Sequence, residues 1–264
     1  MKNILVPVNA FSSGVTNLRY AVNLASISGA KVYLVNTYKE FSRVGGLTKV
    51  NQLIVEDSEE LLDKVVAEVD TKGVEVTSIS LKGDPFEGIK RVSEQLGVDL
   101  LILSPQSIEI VDEVYLGKIT GKIVKQTDIP ILIVPKDYIF RKIEVILLAF
   151  KNGRISHPEV LEPLQQLAQV FSAKINLLQV KTPDMAHEDH SVDPALMSLK
   201  NIFKETENAT VFQGILEHFQ SNNPDLLCVF RRKRGFFQKL WEKNAILKKD
   251  FHTTKPLLVL KGQD

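Results

Sequence analysis

The sequence predicts an α/β protein made of two tandem domains, each an open, mostly parallel sheet with helices on both faces. Short apolar runs alternate with helical patterns along the whole chain. The segment 99–135 is written a second time as 225–261, in the same order of strand, loop, helix and strand. Such a repeat indicates duplication, and a length of 264 residues suits two domains. We predict domains over 1–138 and 139–264.

The first domain begins with the apolar run Ile4–Val8, which predicts a buried strand. Pro7 cannot donate to a ladder, so we expect it at a bulge or at the strand's end. A helix follows, because Leu18, Ala21, Val22, Leu24 and Ala25 recur at helical spacing. The later elements are predicted as a strand over 31–35, a helix over 53–69, a strand over 74–81, a helix from Pro85 and a strand over 100–103.

The second domain repeats this order but has lost a stretch from its middle. Val145–Ala149 matches Ile4–Val8, which places Phe150 at the position of Asn9. The loop 181–193 contains a group of possible metal ligands: His187, Glu188, Asp189, His190 and Asp193. Nothing in the sequence fixes their geometry, so we interpret the loop as acidic and polar and predict no metal site.

Composition excludes several classes of function. A net charge of +1 gives no bulk attraction to nucleic acid or membrane, and no apolar run approaches the roughly 20 residues of a membrane span. Cys228 is the single cysteine, which excludes an intrachain disulfide and indicates a reducing, cytoplasmic setting. The basic segment 231–249 is interpreted as a solvated helix face and loop; the alternative is an anion or phosphodiester patch.

In an open α/β sheet, ligands bind beyond the carboxyl ends of the strands. The loops after the first and fourth strands, 9–14 and 104–117, would flank that crevice. Backbone N–H groups and the positive end of the following helix would hold phosphates there. The small residues that allow such close approach are Ser104, Ser107, Gly117 and Thr120.

Four segments carry a resemblance to a known family: KNILVPVN at the start, AVNLASISGAKVYLVNTY, GDPFEGI and the ending TDIPILIVP. The chain resembles the universal stress protein family in its tandem form, over essentially its whole length in two copies. The resemblance implies Rossmann-like (HUP-type) domains, each with a five-stranded parallel sheet in the order 3-2-1-4-5. ATP-binding members carry an Asp after the first strand and G-x-x-G-x9-G-S/T after the fourth.

This chain departs from that pattern. Asn9 stands at the Asp position, 104–107 reads Ser-Pro-Gln-Ser in place of the paired glycines, and Lys118 replaces the Ser or Thr after Gly117. The resemblance therefore implies a degenerate site for ATP or AMP in the first domain, with Thr37 beside the adenine, and with Ser104, Ser107 and the four residues from Gly117 to Thr120 around ribose and phosphates. The residues predicted to form it are Pro7, Asn9, Thr37, Ser104, Ser107, Gly117, Lys118, Ile119 and Thr120.

We predict that the second domain has lost its site, because Phe150 and Phe230 would fill the crevice and Lys243 replaces the glycine. The main hypothesis is a non-catalytic stress-response protein that binds nucleotide. The first alternative is a nucleotide-independent scaffold that acts through protein contacts. The second is a nucleotide-alpha hydrolase, but 12–16 is a poor copy of the SGG-x-DS loop that such enzymes carry, and we expect no enzymatic activity.

The final strand of each repeat would be an apolar sheet edge that can pair with another strand. The resemblance implies that these strands, 130–135 and 256–261, pair antiparallel, so we predict an intramolecular pseudo-dimer. A further homodimer and an unidentified protein partner are secondary expectations.

Overall fold

The computed structural model describes residues 1–40, 48–107, 114–115, 122–124, 126–183, 191–231 and 255–261. The chain forms two compact units. Unit 1 comprises Met1–Pro105, Leu116–Ile129 and Lys136–Phe140; unit 2 comprises Gln106–Tyr115, Pro130–Pro135 and Arg141–Asp264. The domain boundary at 138/139 stays a prediction from the sequence.

Unit 1 is a wound parallel sheet with the strand order β3-β2-β1-β4. Its elements are β1 (Asn3–Pro7), α1 (Phe11–Ser28), β2 (Lys31–Tyr38), α2 (Thr48–Ala67), β3 (Val76–Lys82), α3 (Pro85–Leu96) and β4 (Leu100–Leu103). Pro7 is the last residue of β1, which is one of the two positions expected for a residue that cannot donate to a ladder. Apolar side chains of β1 and β4 are almost fully buried, as central strands covered on both faces require.

The same hydrogen-bond pattern, an aspartate that accepts from two backbone N–H groups, occurs at the start of both repeats. The carboxylate of Asp99, just before β4, accepts from the backbone N–H groups of Lys2 and Asn3 at 2.5 and 3.0 Å. Asp225 accepts in the same way from Glu144 and Val145 at 2.8 and 3.0 Å. An ionised carboxylate that accepts two N–H bonds ties the start of the first strand to the start of the fourth.

Helix α3 is defined at both ends by its sequence. Asp84 is the N-cap, and its Oδ1 accepts from the N–H groups of Phe86 at 3.0 Å and Glu87 at 3.3 Å. Gly97 ends the helix with a left-handed φ of 57°, which favours glycine. The pKa of Asp84 is lowered, chiefly by the N–H of Glu87, then by the N–H of Phe86 and the charges of Lys122 and Lys39, against an opposing effect of burial.

We expect Asp84→Asn to reduce the acid sensitivity of the protein. Because the folded-state pKa of Asp84 is lowered, its contribution is present at neutral pH and is lost as the pH falls below about 4, through the folded-state value. Asparagine caps a helix about as well but does not titrate in this range. Urea midpoints at pH 6 and pH 3 should therefore differ less for Asp84→Asn than for the unchanged protein, and equal differences would contradict this prediction.

Unit 2 has the sheet order β10-β9-β8-β11-β12-β7. The strands of the second repeat follow the predicted order 3-2-1-4-5 and are parallel, so the predicted fold class is confirmed. The elements are β5 (Gln106–Ser107), β6 (Val114–Tyr115), β7 (Ile131–Ile133), β8 (Val145–Phe150), a 3₁₀ turn (Pro158–Leu161), α4 (Glu162–Phe171), β9 (Lys174–Lys181), α5 (Pro194–Ser198), β10 (Ile202–Glu207), α6 (Val211–Asn222), β11 (Leu226–Phe230) and β12 (Leu257–Leu260).

Strand β7 comes from the first repeat but belongs to unit 2. It runs antiparallel to β12, with Ile131, Leu132 and Ile133 opposite Val259, Leu258 and Leu257. The ladders between β8, β9, β10, β11 and β12 are parallel, so strand direction reverses at the ladder between β12 and β7.

The second repeat is shorter because one of its helices is shorter. The 20-residue α2 of the first repeat is replaced by the five-residue α5. Before α5, Val192 bridges to Gly153, and Asp193 caps the helix by accepting from the N–H of Ala195 at 2.8 Å. The predicted polar loop 181–193 is thus strand at its start and a helix cap at its end, while 184–190 lies outside the described residues.

Hydrogen-bond register corrects the alignment of the two repeats by one residue. Ile4 pairs with Leu100 in β4, and Ile146 pairs with Leu226 in β11. Leu226 is the repeat of Leu100, so Ile146 is the counterpart of Ile4. The sequence-based match, which aligned Val145 with Ile4, was therefore wrong. The alignment was off by one residue because an unbroken apolar run matches another almost equally well after a one-residue shift.

Candidate functional site

The carboxyl ends of β1, β2 and β4 meet at one edge of the sheet in unit 1, because these strands are parallel. Pro7 is paired with Val35, and continuing that register brings Asn9 level with Thr37. The β1–β4 register likewise brings Ser104 within one residue of this level. The structure thus brings together the predicted site residues that lie in unit 1 and that it describes.

Asn9 is the exposed member of this group. It lies between the end of β1 and the start of α1, whose N-cap is Ala10. Alanine has no side-chain oxygen that could accept from the first turn of the helix. The amide of Asn9 and the N–H groups that begin α1 are therefore adjacent hydrogen-bonding groups at this edge of the sheet.

The hydroxyl of Ser104 donates its hydrogen bond to another residue of the protein. Its Oγ donates to Oδ1 of Asn17 in α1 at 2.7 Å, and both residues are buried. A ligand would therefore meet this hydroxyl only as an acceptor. We did not single out Asn17 from the sequence, although it lies four residues before Ala21 on the buried face of the helix, where an amide needs a partner.

Thr37 is half-buried near the end of β2. Its methyl group points towards Gly88 of α3, where an added Cβ would lie 3.5 Å away. This contact places the side chain of Thr37 on the face of the sheet that α3 covers. Whether an adenine lies beside it stays a prediction.

A polar chain that we did not predict runs from this edge into the core. Nδ2 of Asn36 donates to the carbonyl of Val8 at 2.7 Å, and Oδ1 of Asn36 accepts from the hydroxyl of Ser58 at 2.7 Å. The hydroxyls of Ser58 and Ser80 are 2.5 Å apart. The sequence signal was Asn36 itself, because it is an amide that interrupts the apolar run of β2.

Residues 12–16, the stretch compared with a hydrolase loop, lie within α1. An added Cβ on Gly14 would lie 2.9 Å from Cγ1 of Val8 and 3.1 Å from Cγ2 of Val65. This close approach explains the glycine by packing between α1, the end of β1 and α2. The structure gives these residues the backbone of a helix and not that of a phosphate-binding loop.

The predicted phosphate loop is only partly described. Ser107 belongs to β5, which runs antiparallel to β6 and places Ser107 opposite Val114. The predicted residues Gly117, Lys118, Ile119 and Thr120 lie outside the described residues. Beyond them, Nζ of Lys122 lies 4.1 Å from the ring centroid of Phe86, so the Lys122 side chain contacts the start of α3.

The second repeat differs at the equivalent edge. By the corrected register Phe150 takes the place of Val8, not of Asn9, and Lys151 stands at the Asn9 position. Phe150 and Phe230 are both buried, at 4% and 6% exposure. Gly153 packs directly on the backbone of Val192, because an added Cβ would lie 2.8 Å from its Cα. Lys243 lies outside the described residues.

The described part of the chain contains neither a cluster of metal ligands nor a membrane-spanning helix. No group of three or more histidine, cysteine or acidic side chains there is arranged to hold a metal ion. No helix there combines the length and the apolar character needed to cross a bilayer.

Comparisons with known proteins agree with this fold. A model of the universal stress protein family matches residues 1–135. A universal stress protein of Methanocaldococcus jannaschii is 24% identical over 140 residues, which cover 51% of this chain and 82% of that protein. A second one from the same organism is 25% identical over 154 residues, covering 51% and 95%.

Solved structures extend the likeness of fold over nearly the whole chain. The crystal structure of a universal stress protein from Archaeoglobus fulgidus has a TM-score of 0.73 at 15% identity and covers 99% of this chain and 97% of that one. A functionally unknown protein from Pseudomonas aeruginosa has a TM-score of 0.62 at 14% identity, covering 99% and 93%. Taken with the match over 1–135, these findings show that the chain belongs to the universal stress protein family.

Proposed function

We propose that this protein is a non-catalytic regulatory protein of the stress response that binds ATP or AMP at the carboxyl edge of the unit 1 sheet. The observation that carries the proposal is the exposed amide of Asn9, placed between the end of β1 and the start of α1. An amide can both donate to and accept from ribose hydroxyls. The N–H groups that begin α1 would attract phosphate oxygens.

The same residue supports a binding role without catalysis. Asn9 is neutral, so it cannot accept a proton as a general base and is a weaker ligand for Mg²⁺ than a carboxylate. We therefore propose nucleotide binding without a protein-held metal and without turnover. The proposal includes a cytoplasmic setting, which the single, buried cysteine supports.

A nucleotide-independent scaffold is the second candidate, and two observations favour it. The hydroxyl of Ser104 is committed to Asn17, and the backbone of Ser107 is part of a ladder and not of an open loop. In this candidate the protein acts through contacts with a protein partner. The pseudo-dimer of the two repeats and a further homodimer remain proposals under either function.

Calorimetric titration with ATP and with AMP tests the choice. We expect saturable binding that Asn9→Ala weakens about tenfold, the effect of losing one or two hydrogen bonds worth about 1.4 kcal/mol together. Lys151→Ala, at the same position in the second repeat, is the matched control and should leave the affinity unchanged. If the unchanged protein gives neither heat nor a thermal shift with either nucleotide, the scaffold is the better interpretation.

A further inference from the structure

Both backbone polar groups of Val8, the residue before Asn9, are hydrogen-bonded to residues of β2. β1 ends at Pro7, and the N–H of Val8 donates to the carbonyl of Val35 at 2.7 Å. The carbonyl of Val8 lies beyond the strand and accepts from the side chain of Asn36 at 2.7 Å. A side chain of β2 thus binds the chain where it leaves the sheet, one residue before the exposed Asn9.

The amide of Asn36 is itself fixed from its other end. Its Oδ1 accepts from Ser58 of α2, which is 4% exposed. The hydroxyl of Ser58 also contacts Ser80, which is paired with Asn36 in the β2–β3 ladder. An amide with both ends engaged cannot rotate without losing two hydrogen bonds, and such bonds are stronger in a poorly solvated interior.

We propose that Asn36 is the positioning residue of the nucleotide site: it fixes the Val8–Asn9 peptide and joins it, through Ser58, to α2. This inference rests on the proposed nucleotide binding for its functional consequence but not for its structural one. In this proposal α2 acts on the site through the hydrogen bond from Ser58 to Asn36. Loosening of α2 or of the Ser58 contact would loosen the orientation of Asn9.

The second repeat differs at the corresponding positions. By the register of β8 and β9, Gln179 stands at the position of Asn36 and is fully buried opposite Phe150. The helix that would carry the counterpart of Ser58 is reduced to the five residues of α5. The first repeat thus combines the exposed Asn9 with an amide that is held by Ser58 of the long helix α2.

The test compares Asn36→Leu with two control variants. Leucine is uncharged and similar in size to asparagine, but it cannot donate a hydrogen bond to the carbonyl of Val8. Ser80→Ala removes the distal hydroxyl but keeps the bond from Asn36 to Val8. Val69→Ala removes buried apolar atoms, at 5% exposure, beyond the end of α2 and lowers stability without touching the polar chain. Ser58→Ala is a milder second variant, in case Asn36→Leu does not fold, and should give an intermediate effect.

Hydrogen exchange of the protein without ligand is read first. We expect the amides of Val8 and Gly14, which donate to the carbonyls of Val35 and Ala10, to exchange about tenfold faster in Asn36→Leu. In Ser80→Ala and Val69→Ala their exchange should stay within about twofold of the unchanged protein. An unchanged exchange rate in Asn36→Leu and Ser58→Ala would overturn the inference, whatever the protein binds. Equal loosening by Val69→Ala would overturn it too, because the effect would then be one of general stability.

Titration with ATP and AMP is read second. We expect the Kd to rise about tenfold in Asn36→Leu and to stay within about twofold in Ser80→Ala. If the unchanged protein binds nucleotide and Asn36→Leu binds it equally well, Asn36 does not position the site. If the unchanged protein binds no nucleotide, the proposed function fails, and hydrogen exchange alone decides whether Asn36 holds the loop.

Discussion

Gly214→Ala is expected to destabilise the protein by about 1–3 kcal/mol, the usual cost of overpacking, whereas Gly88→Ala should be neutral or stabilising by up to about 1 kcal/mol. The two glycines are repeats of each other on α6 and α3. An added Cβ on Gly214 would lie 2.7 and 3.0 Å from the two methyl groups of Val180. On Gly88 it would lie 3.5 Å from the methyl group of Thr37, which is ordinary contact.

Urea unfolding of the two variants measures this difference, and a double-mutant cycle identifies its cause. In the Val180→Ala background the cost of Gly214→Ala should fall by most of its value, because the clashing methyl groups are gone. An undiminished cost in that background would show that Val180 is not responsible. Equal effects at Gly88 and Gly214 would contradict the prediction as a whole.

This pair of glycines also shows why the fold could be predicted. The segment GDPFEGI is repeated as ATVFQGI, and both copies begin a helix at the capping residue, Asp84 or Thr210. Capping chemistry and apolar periodicity are local, so they can be read from one sequence. Register is not local: the six-residue run of β8 fits its neighbours after a one-residue shift, and only the ladder with β9 and β11 fixes it.

The candidate site could be predicted only in outline. The rule that ligands bind at the carboxyl ends of parallel strands located the edge where Asn9, Thr37 and Ser104 come together. The hydrogen-bond partners could not be found in this way. Asn17 is 87 residues from Ser104, and Ser58 is 22 residues from Asn36, so both pairs depend on how α1 and α2 pack on the sheet.

Ile133→Asp is expected to remove β7 from its ladder and to destabilise the protein by about 3–5 kcal/mol. Ile133 is 5% exposed and lies opposite Leu257, in a strand whose neighbouring residues Leu132 and Val134 are fully buried. A carboxylate there would have to be desolvated among apolar side chains, which is costlier than releasing the strand. Since β7 is a strand of the first repeat that belongs to unit 2, its release should free 130–135.

Limited proteolysis and urea unfolding measure both effects, and two controls separate charge from burial. Ile139→Asp introduces the same charge six residues later at 73% exposure and should change neither result. Ile133→Val keeps the strand apolar and should cost about 1 kcal/mol without new cleavage. New cleavage near 130–135 in Ile133→Asp alone would support the proposed pairing of the two repeats through β7 and β12. Cleavage and stability like those of Ile139→Asp would show that the pairing does not hold the repeats together, because a buried charge in a working ladder must disrupt it.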